Sequence, residues 1–155
     1  MPLSVTQMLS LNGFLLSLLG FSIMLIFVYG TLRPCFGHPL GRDLRKQAID
    51  RGLGTVVGRL FDCGDYPAAV PDPINADLIQ GELYDLAIGH TLWAELDDYE
   101  DYRPHSDSQS LFERVQVVAF DAKRARCNAE IYWYRASVSG LDQIESGDYL
   151  EFCRR

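Results

Sequence analysis

The chain is 155 residues long, with 48% hydrophobic and 23% charged residues, which excludes wholesale disorder and suits one globular domain rather than two. Its net charge of -7 argues against a duty on nucleic acid, where phosphates demand a basic surface. Cys35, Cys63, Cys127 and Cys153 form no CxxC pair and His38, His90 and His105 show no metal-ligand spacing, so neither a disulfide framework nor a metal site is expected, and reduced thiols in a cytoplasmic protein are.

Leu9 to Val28 is largely apolar and long enough to be weighed as a membrane span. Gly13, Ser17, Gly20 and Ser22 dilute it, and no Lys or Arg precedes Arg33 to orient an anchor or to supply a signal peptide's positive start. The preferred reading takes residues 1–23 as an extension, with the domain running from Met24 to Arg155. A membrane helix comes second and a cleaved signal third.

Ile23 to Tyr29 is β-branched and aromatic and ends at Gly30, which predicts a buried strand running into a tight loop. Pro39 to Arg51 is expected to be helical, with Pro39 near its start and Gly52 just past its end. Thr55 to Phe61 reads as a strand closed by the turn-rich Cys63-Gly64-Asp65-Tyr66-Pro67, and proline-rich Pro67 to Pro73 as a rigid loop. The strand Leu78 to Leu86 contains Gly81, a mark of close backbone approach. A helix is expected over Gly89 to Tyr99. Two long strands, Phe112 to Phe120 and Arg126 to Arg135, are joined by a turn at Asp121 to Arg124. In the tail, Ser146-Gly147-Asp148 can cap a last helical turn. Many strands joined by short loops, with two or three helices, predict an α+β fold: a small mixed or antiparallel β-barrel with flanking helices.

No phosphate-binding glycine loop and no GxSxG elbow is present. What remains for chemistry is carboxylates. The densest run is Glu95, Asp97, Asp98, Glu100 and Asp101, which by itself reads as a solvated helix face. At 100° per residue, Ile88, Leu92, Leu96 and Tyr99 share one stripe with Trp93 on its flank, and Asp98 and Asp101 lie opposite. Asp97 and Glu95 mark the edges. Glu100 falls between Leu96 and Trp93, on the core side. Such a carboxylate is either held in a pocket with a raised pKa, as acid–base chemistry requires, or turned to water because the helix has already ended. Helical spacing leaves both readings open.

The loop Tyr29-Gly30-Thr31-Leu32-Arg33 follows a strand with consecutive backbone N–H groups that can form an anion nest, although most such loops are only turns. Tyr66 is a candidate for a pocket edge, although a packed tyrosine in a turn is the commoner case, and Trp133 reads as a core or barrel-face aromatic.

FVYGTLR at Phe27 to Arg33, GRLFDCGDYPA at Gly58 to Ala68, GELYDL at Gly81 to Leu86, LDDYE at Leu96 to Glu100, FERVQV at Phe112 to Val117 and SGDY at Ser146 to Tyr149 occur in the order seen in gamma-glutamylcyclotransferase-like (AIG2-like) proteins, which the chain resembles over nearly everything after Met24. The resemblance implies a small β-barrel and an enzyme of transferase or lyase type. Such an enzyme converts a gamma-glutamyl amine, amino acid or peptide into 5-oxoproline and a free amine without a cofactor. It further implies that Glu100 is the general acid/base, that Tyr29, Gly30, Thr31 and Leu32 hold the substrate's α-carboxylate, and that a small molecule is the partner rather than nucleic acid or membrane. The alternative is a non-catalytic metabolite-binding module on the same fold. Three positions depart from the family pattern: Phe112 where tyrosine is often found, Cys35 where glycine commonly follows YGTLRP, and Asp101 where glycine frequently follows the glutamate.

Overall fold

A computed structural model describes residue 20, residues 22–106 and residues 110–155. Most of the expected extension over residues 1–23 therefore lies outside the described residues. Among the described residues, no helix is long and apolar enough to cross a membrane.

The chain opens with β1 (Ile23–Val28), passes a 3₁₀ turn at Pro34–Phe36 and forms α1 (Pro39–Gln47). Strands β2 (Ile49–Val57), β3 (Arg59–Asp62), β4 (Pro67–Val70) and β5 (Leu78–Ala87) follow. Then come α2 (Leu92–Tyr99), β6 (Phe112–Asp121), β7 (Arg126–Tyr134) and α3 (Tyr149–Cys153). Five strands close a barrel in the order β1-β5-β2-β6-β7, and β3 and β4 form a separate two-stranded sheet. Every neighbouring pair in the barrel is antiparallel except β7 with β1, which closes it in parallel through Leu25 opposite Ala129 and Ile26 opposite Glu130. The mixed barrel with flanking helices is the architecture the sequence predicts.

Alternation along the strands sorts the apolar residues into two cores. Phe27, Val56, Ile79, Leu83, Ala119, Ala129, Ile131 and Trp133 form one cluster. Their sequence neighbours Ile26, Val28, Tyr84, Leu86 and Tyr132 pack instead with Leu40 and Leu44 of α1 and Leu92 and Leu96 of α2. The second set faces the helices, so the first fills the barrel. Both faces of β1 are thereby covered, which is why it reads as an unbroken apolar run.

Three expectations are corrected. Helix α1 stops at Gln47, short of Arg51, because Ile49 and Asp50 already pair with Asp85 and Tyr84. Gly52, with φ +83°, serves a bulge in β2 rather than a helix end. The expected strand Thr55 to Phe61 is two strands broken at Gly58, whose amide donates to the Asp77 carbonyl at 2.9 Å and where an added Cβ would lie 2.8 Å from the Val70 carbonyl. The proline-rich segment is not wholly loop: Pro67 to Val70 pairs with β3, Pro67 standing opposite Asp62 at the strand's first position, where a missing N–H is tolerated. Gly81 does mark a close approach, since a Cβ there would run into the Val28 carbonyl and the Phe27 ring.

One polar knot ties the loop after β1 to the rest of the chain. Arg33 is buried, with Nη1 donating to Asp148 Oδ1 at 2.7 Å and Nε to Glu82 Oε1 at 3.4 Å. Tyr84 donates to the other Glu82 oxygen at 2.9 Å. Asp148 also caps α3 by accepting from the Leu150 amide at 3.0 Å. Asp148→Asn keeps the cap but strips half the counter-charge from a buried guanidinium, so it should cost about 2–3 kcal/mol in urea unfolding, seen as a lowered midpoint at constant m-value.

Candidate active site

Because β1 and β7 run parallel, their carboxyl ends emerge at the same end of the barrel. There Tyr29 to Leu32 leave β1, Tyr132 sits near the end of β7, the β3–β4 turn supplies Tyr66 and Pro67, and the end of α2 delivers Glu100. These residues, with Phe112 and Leu111, line a cavity of about 330 Å³, a volume suited to a small metabolite. All six residues singled out from the sequence (Tyr29, Gly30, Thr31, Leu32, Tyr66 and Glu100) border this one cavity.

Glu100 follows the last residue of α2 as its C-cap, with φ -83° and ψ 6°. The helix therefore ends where the solvent-facing reading required, yet the side chain lines the cavity. Its amide still donates to the Leu96 carbonyl at 3.0 Å, which holds the residue on the helix end. The carboxyl accepts no hydrogen bond and joins no ion pair among the described residues. Burial alone pushes it up to about 8 from an ordinary 4.5. Its immediate successor Asp101 has φ +50°, a left-handed conformation that accounts for glycine being at home there.

The helix stripe is only partly as expected. Leu92, Trp93 and Leu96 are buried, whereas Ile88 and Tyr99 are 54% and 39% exposed. Tyr99 instead reaches the loop after β1, its hydroxyl 2.7 Å from Thr31 Oγ1. In that loop the Arg33 amide closes a turn onto the Gly30 carbonyl at 3.0 Å. The amides of Thr31 and Leu32 are spent on no partner among the described residues, so the loop keeps donors in reserve.

Phe112 is buried against Tyr66 and Tyr134, edge to face, at centroid distances of 6.0 and 5.4 Å. A tyrosine there would bring a third hydroxyl to a cluster that already has two. Cys35 sits exposed in the 3₁₀ turn and does not line the cavity. Trp133 is buried in the barrel.

The sequence reading passed over Tyr132 and Asp97. Tyr132 donates its hydroxyl to Asp97 Oδ1 at 2.6 Å, and Arg114 Nε lies 3.2 Å from the same oxygen. Arg114 is stacked 4.8 Å over the Trp93 ring, and Tyr29 donates to the Tyr132 carbonyl at 2.6 Å. The available signal was slight: Asp97 at the stripe's edge, and a tyrosine on the helix-facing side of β7.

The profile described as gamma-glutamyl cyclotransferase, AIG2-like, matches residues 26–151, and the chain belongs to that family. It is 30% identical over 128 residues to the gamma-glutamylcyclotransferase family protein YtfP of Escherichia coli, covering 83% of this chain and 97% of that protein. The solution structure of E. coli ytfP superposes with a TM-score of 0.57 at 30% identity, over 84% of this chain and 99% of that one. A mouse aig2-like protein shares the fold at TM-score 0.56 and 20% identity, over 80% and 87% of the two chains.

The raised pKa has a thermodynamic consequence. The folded state holds the Glu100 proton more tightly than the unfolded chain, so this group's stabilising contribution is complete below about pH 4.5 and is lost as pH rises through about 8. Glu100→Gln lacks that loss. Its unfolding free energy relative to wild type should rise by about 2–4 kcal/mol between pH 5 and pH 8.5 and level off above, measured by urea titration at each pH.

Proposed function

We propose that the protein is a gamma-glutamyl cyclotransferase, converting a small gamma-glutamyl amine, amino acid or peptide into 5-oxoproline and the free amine with Glu100 as general acid/base. The observation that carries this is the Glu100 carboxyl, unpaired in the cavity and raised by burial to about 8, far nearer to an amine's range than an ordinary carboxyl is. A base so matched takes a proton from the ammonium with little driving-force penalty and returns it to a departing amine just as readily.

The substrate's α-carboxylate is received by the backbone of Tyr29, Gly30, Thr31 and Leu32, with the free amides of Thr31 and Leu32 as donors, which sets the α-nitrogen towards Glu100. Once deprotonated, that nitrogen attacks the side-chain carbonyl carbon and closes a five-membered ring through a tetrahedral intermediate. As the intermediate collapses, the bond to the original amide nitrogen breaks, Glu100 protonates the leaving nitrogen and the ring nitrogen gives up its second proton, so that the lactam keeps one N–H and the amine departs as an ammonium. Nucleophile and electrophile lie in one molecule, so the protein's main contribution is to hold the substrate folded, the entropic advantage of an intramolecular reaction. Phe112 and Tyr66 give the leaving amine an aromatic wall.

Purified protein incubated with a panel of gamma-glutamyl amines and dipeptides should release 5-oxoproline from at least one, and Glu100→Gln, shown to be folded, should lower that rate by about 10²–10⁴-fold. A Gln variant as fast as wild type contradicts the role of Glu100. No product across the panel favours the binding-module reading instead.

A further inference from the structure

Tyr29 and Tyr132 line the same cavity as Glu100, and neither gives it a proton. Burial raises both phenols; the Glu100 charge adds to this at Tyr29, and at Tyr132 Asp97 adds to it ahead of Glu100. A phenol carries one proton. Tyr29 donates its own to the Tyr132 carbonyl, and Tyr132 donates its own to Asp97, each at 2.6 Å. Asp97 is anchored in turn by Arg114 at 3.2 Å, whose guanidinium is sandwiched near Trp93 and Tyr102 at 4.8 and 5.8 Å. The Tyr102 amide closes on the Asp97 carbonyl at 2.8 Å, so the backbone around this carboxylate is fixed as well.

We propose that Asp97, backed by Arg114, draws the Tyr132 proton away from Glu100 and thereby keeps that carboxyl free of donors and available as a base. Asp97 is then a positioning residue, acting on Glu100 through Tyr132. Its purpose rests on the cyclotransfer reading, but the effect itself is a property of the ligand-free protein. The physical reason is one of sign. A hydrogen bond given to a carboxylate stabilises its charged form and weakens it as a base, so a phenol left idle beside Glu100 would undo what burial achieves. The ionisable groups that line the cavity with Glu100 are Tyr29 from the end of β1, Asp65 and Tyr66 from the hairpin turn, Tyr132 from β7, and Tyr99 and Asp101 from its own helix end. Tyr99 shares its proton with Thr31. Among these, Tyr132 is the one whose proton is held by a charged acceptor.

The test is a ¹³C titration of the side-chain carboxyls in glutamate-labelled protein, with the Glu100 signal assigned by its loss in Glu100→Gln. Asp97→Ala releases the Tyr132 hydroxyl, and the Glu100 midpoint should fall by about one pH unit or more. Asp97→Ala combined with Tyr132→Phe removes the freed proton and should restore the midpoint to within about 0.3 unit of wild type. A midpoint unmoved in Asp97→Ala overturns the proposal. So does a double variant that stays low, because the lost Asp97 charge would then account for the shift by itself. Where Asp97→Ala does not fold, Asp97→Asn offers Tyr132 a weaker acceptor and should give a smaller fall, an unchanged midpoint again overturning the idea. The titration needs no turnover, so its outcome stands apart from that of the 5-oxoproline assay.

Discussion

The buried guanidinium of Arg33 is the constraint on which the site's geometry depends. A charge with only a few per cent of its surface exposed is tolerable only if paired, and its partners come from two distant stretches, Glu82 on β5 and Asp148 at the start of α3. This pins the loop after β1, and with it the amides of Thr31 and Leu32, to the sheet on one side and the C-terminal segment on the other. Fixing a loop in this way favours the anion-binding role proposed for it, since donors that need no reorganisation bind an anion better. Three of the ordered motifs, those containing Arg33, Glu82 and Asp148, are therefore parts of one tertiary contact.

The opposite choice is made at Glu100. Where Arg33 is given two carboxylates, Glu100 is given no counter-charge and no donor, and the folded state bears the cost as a raised pKa. A polar group left in that condition is destabilising when ionised, and sites that persist in spite of such a cost are commonly those that do chemistry. The surroundings fit: the hydroxyls of Tyr132, Tyr29 and Tyr99 are engaged with Asp97, the Tyr132 carbonyl and Thr31 respectively. The cavity thus combines reserve donors at the loop with an unpaired carboxyl at the helix end, the pair of properties on which the proposed reaction relies.

Much of this was legible in the sequence, and the limits have physical causes. Alternation and β-branching marked β1, β5, β6 and β7, and Asp148 announced α3 as a cap. The strand break at Gly58 was hidden because the apolar run continues through it; only the approach of Val70 makes the break necessary. Pro67 disguised β4 because a proline argues against a strand, although the first position of a two-stranded hairpin accepts it. At Glu100, periodicity could not choose between core and solvent, and the structure takes something from each: the helix ends, and the cap residue turns its side chain inward. The resemblance to a family supplied the expected reaction, whereas the loop after β1 was already a candidate nest from its glycine and consecutive N–H groups. The Asp97–Tyr132 bond joins residues 35 apart in sequence through the packing of α2 on β7, and no local pattern encodes such a pair.

The central claim, that the loop donors and Glu100 grip opposite ends of one glutamyl head group, is tested most directly by a crystal structure of the folded Glu100→Gln variant with an unconverted gamma-glutamyl amine. The predicted result has the α-carboxylate on the amides of residues 30–32 and the α-nitrogen within hydrogen-bonding distance of the residue 100 side chain. An α-nitrogen directed away from residue 100, or an α-carboxylate bound elsewhere in the cavity, would contradict it.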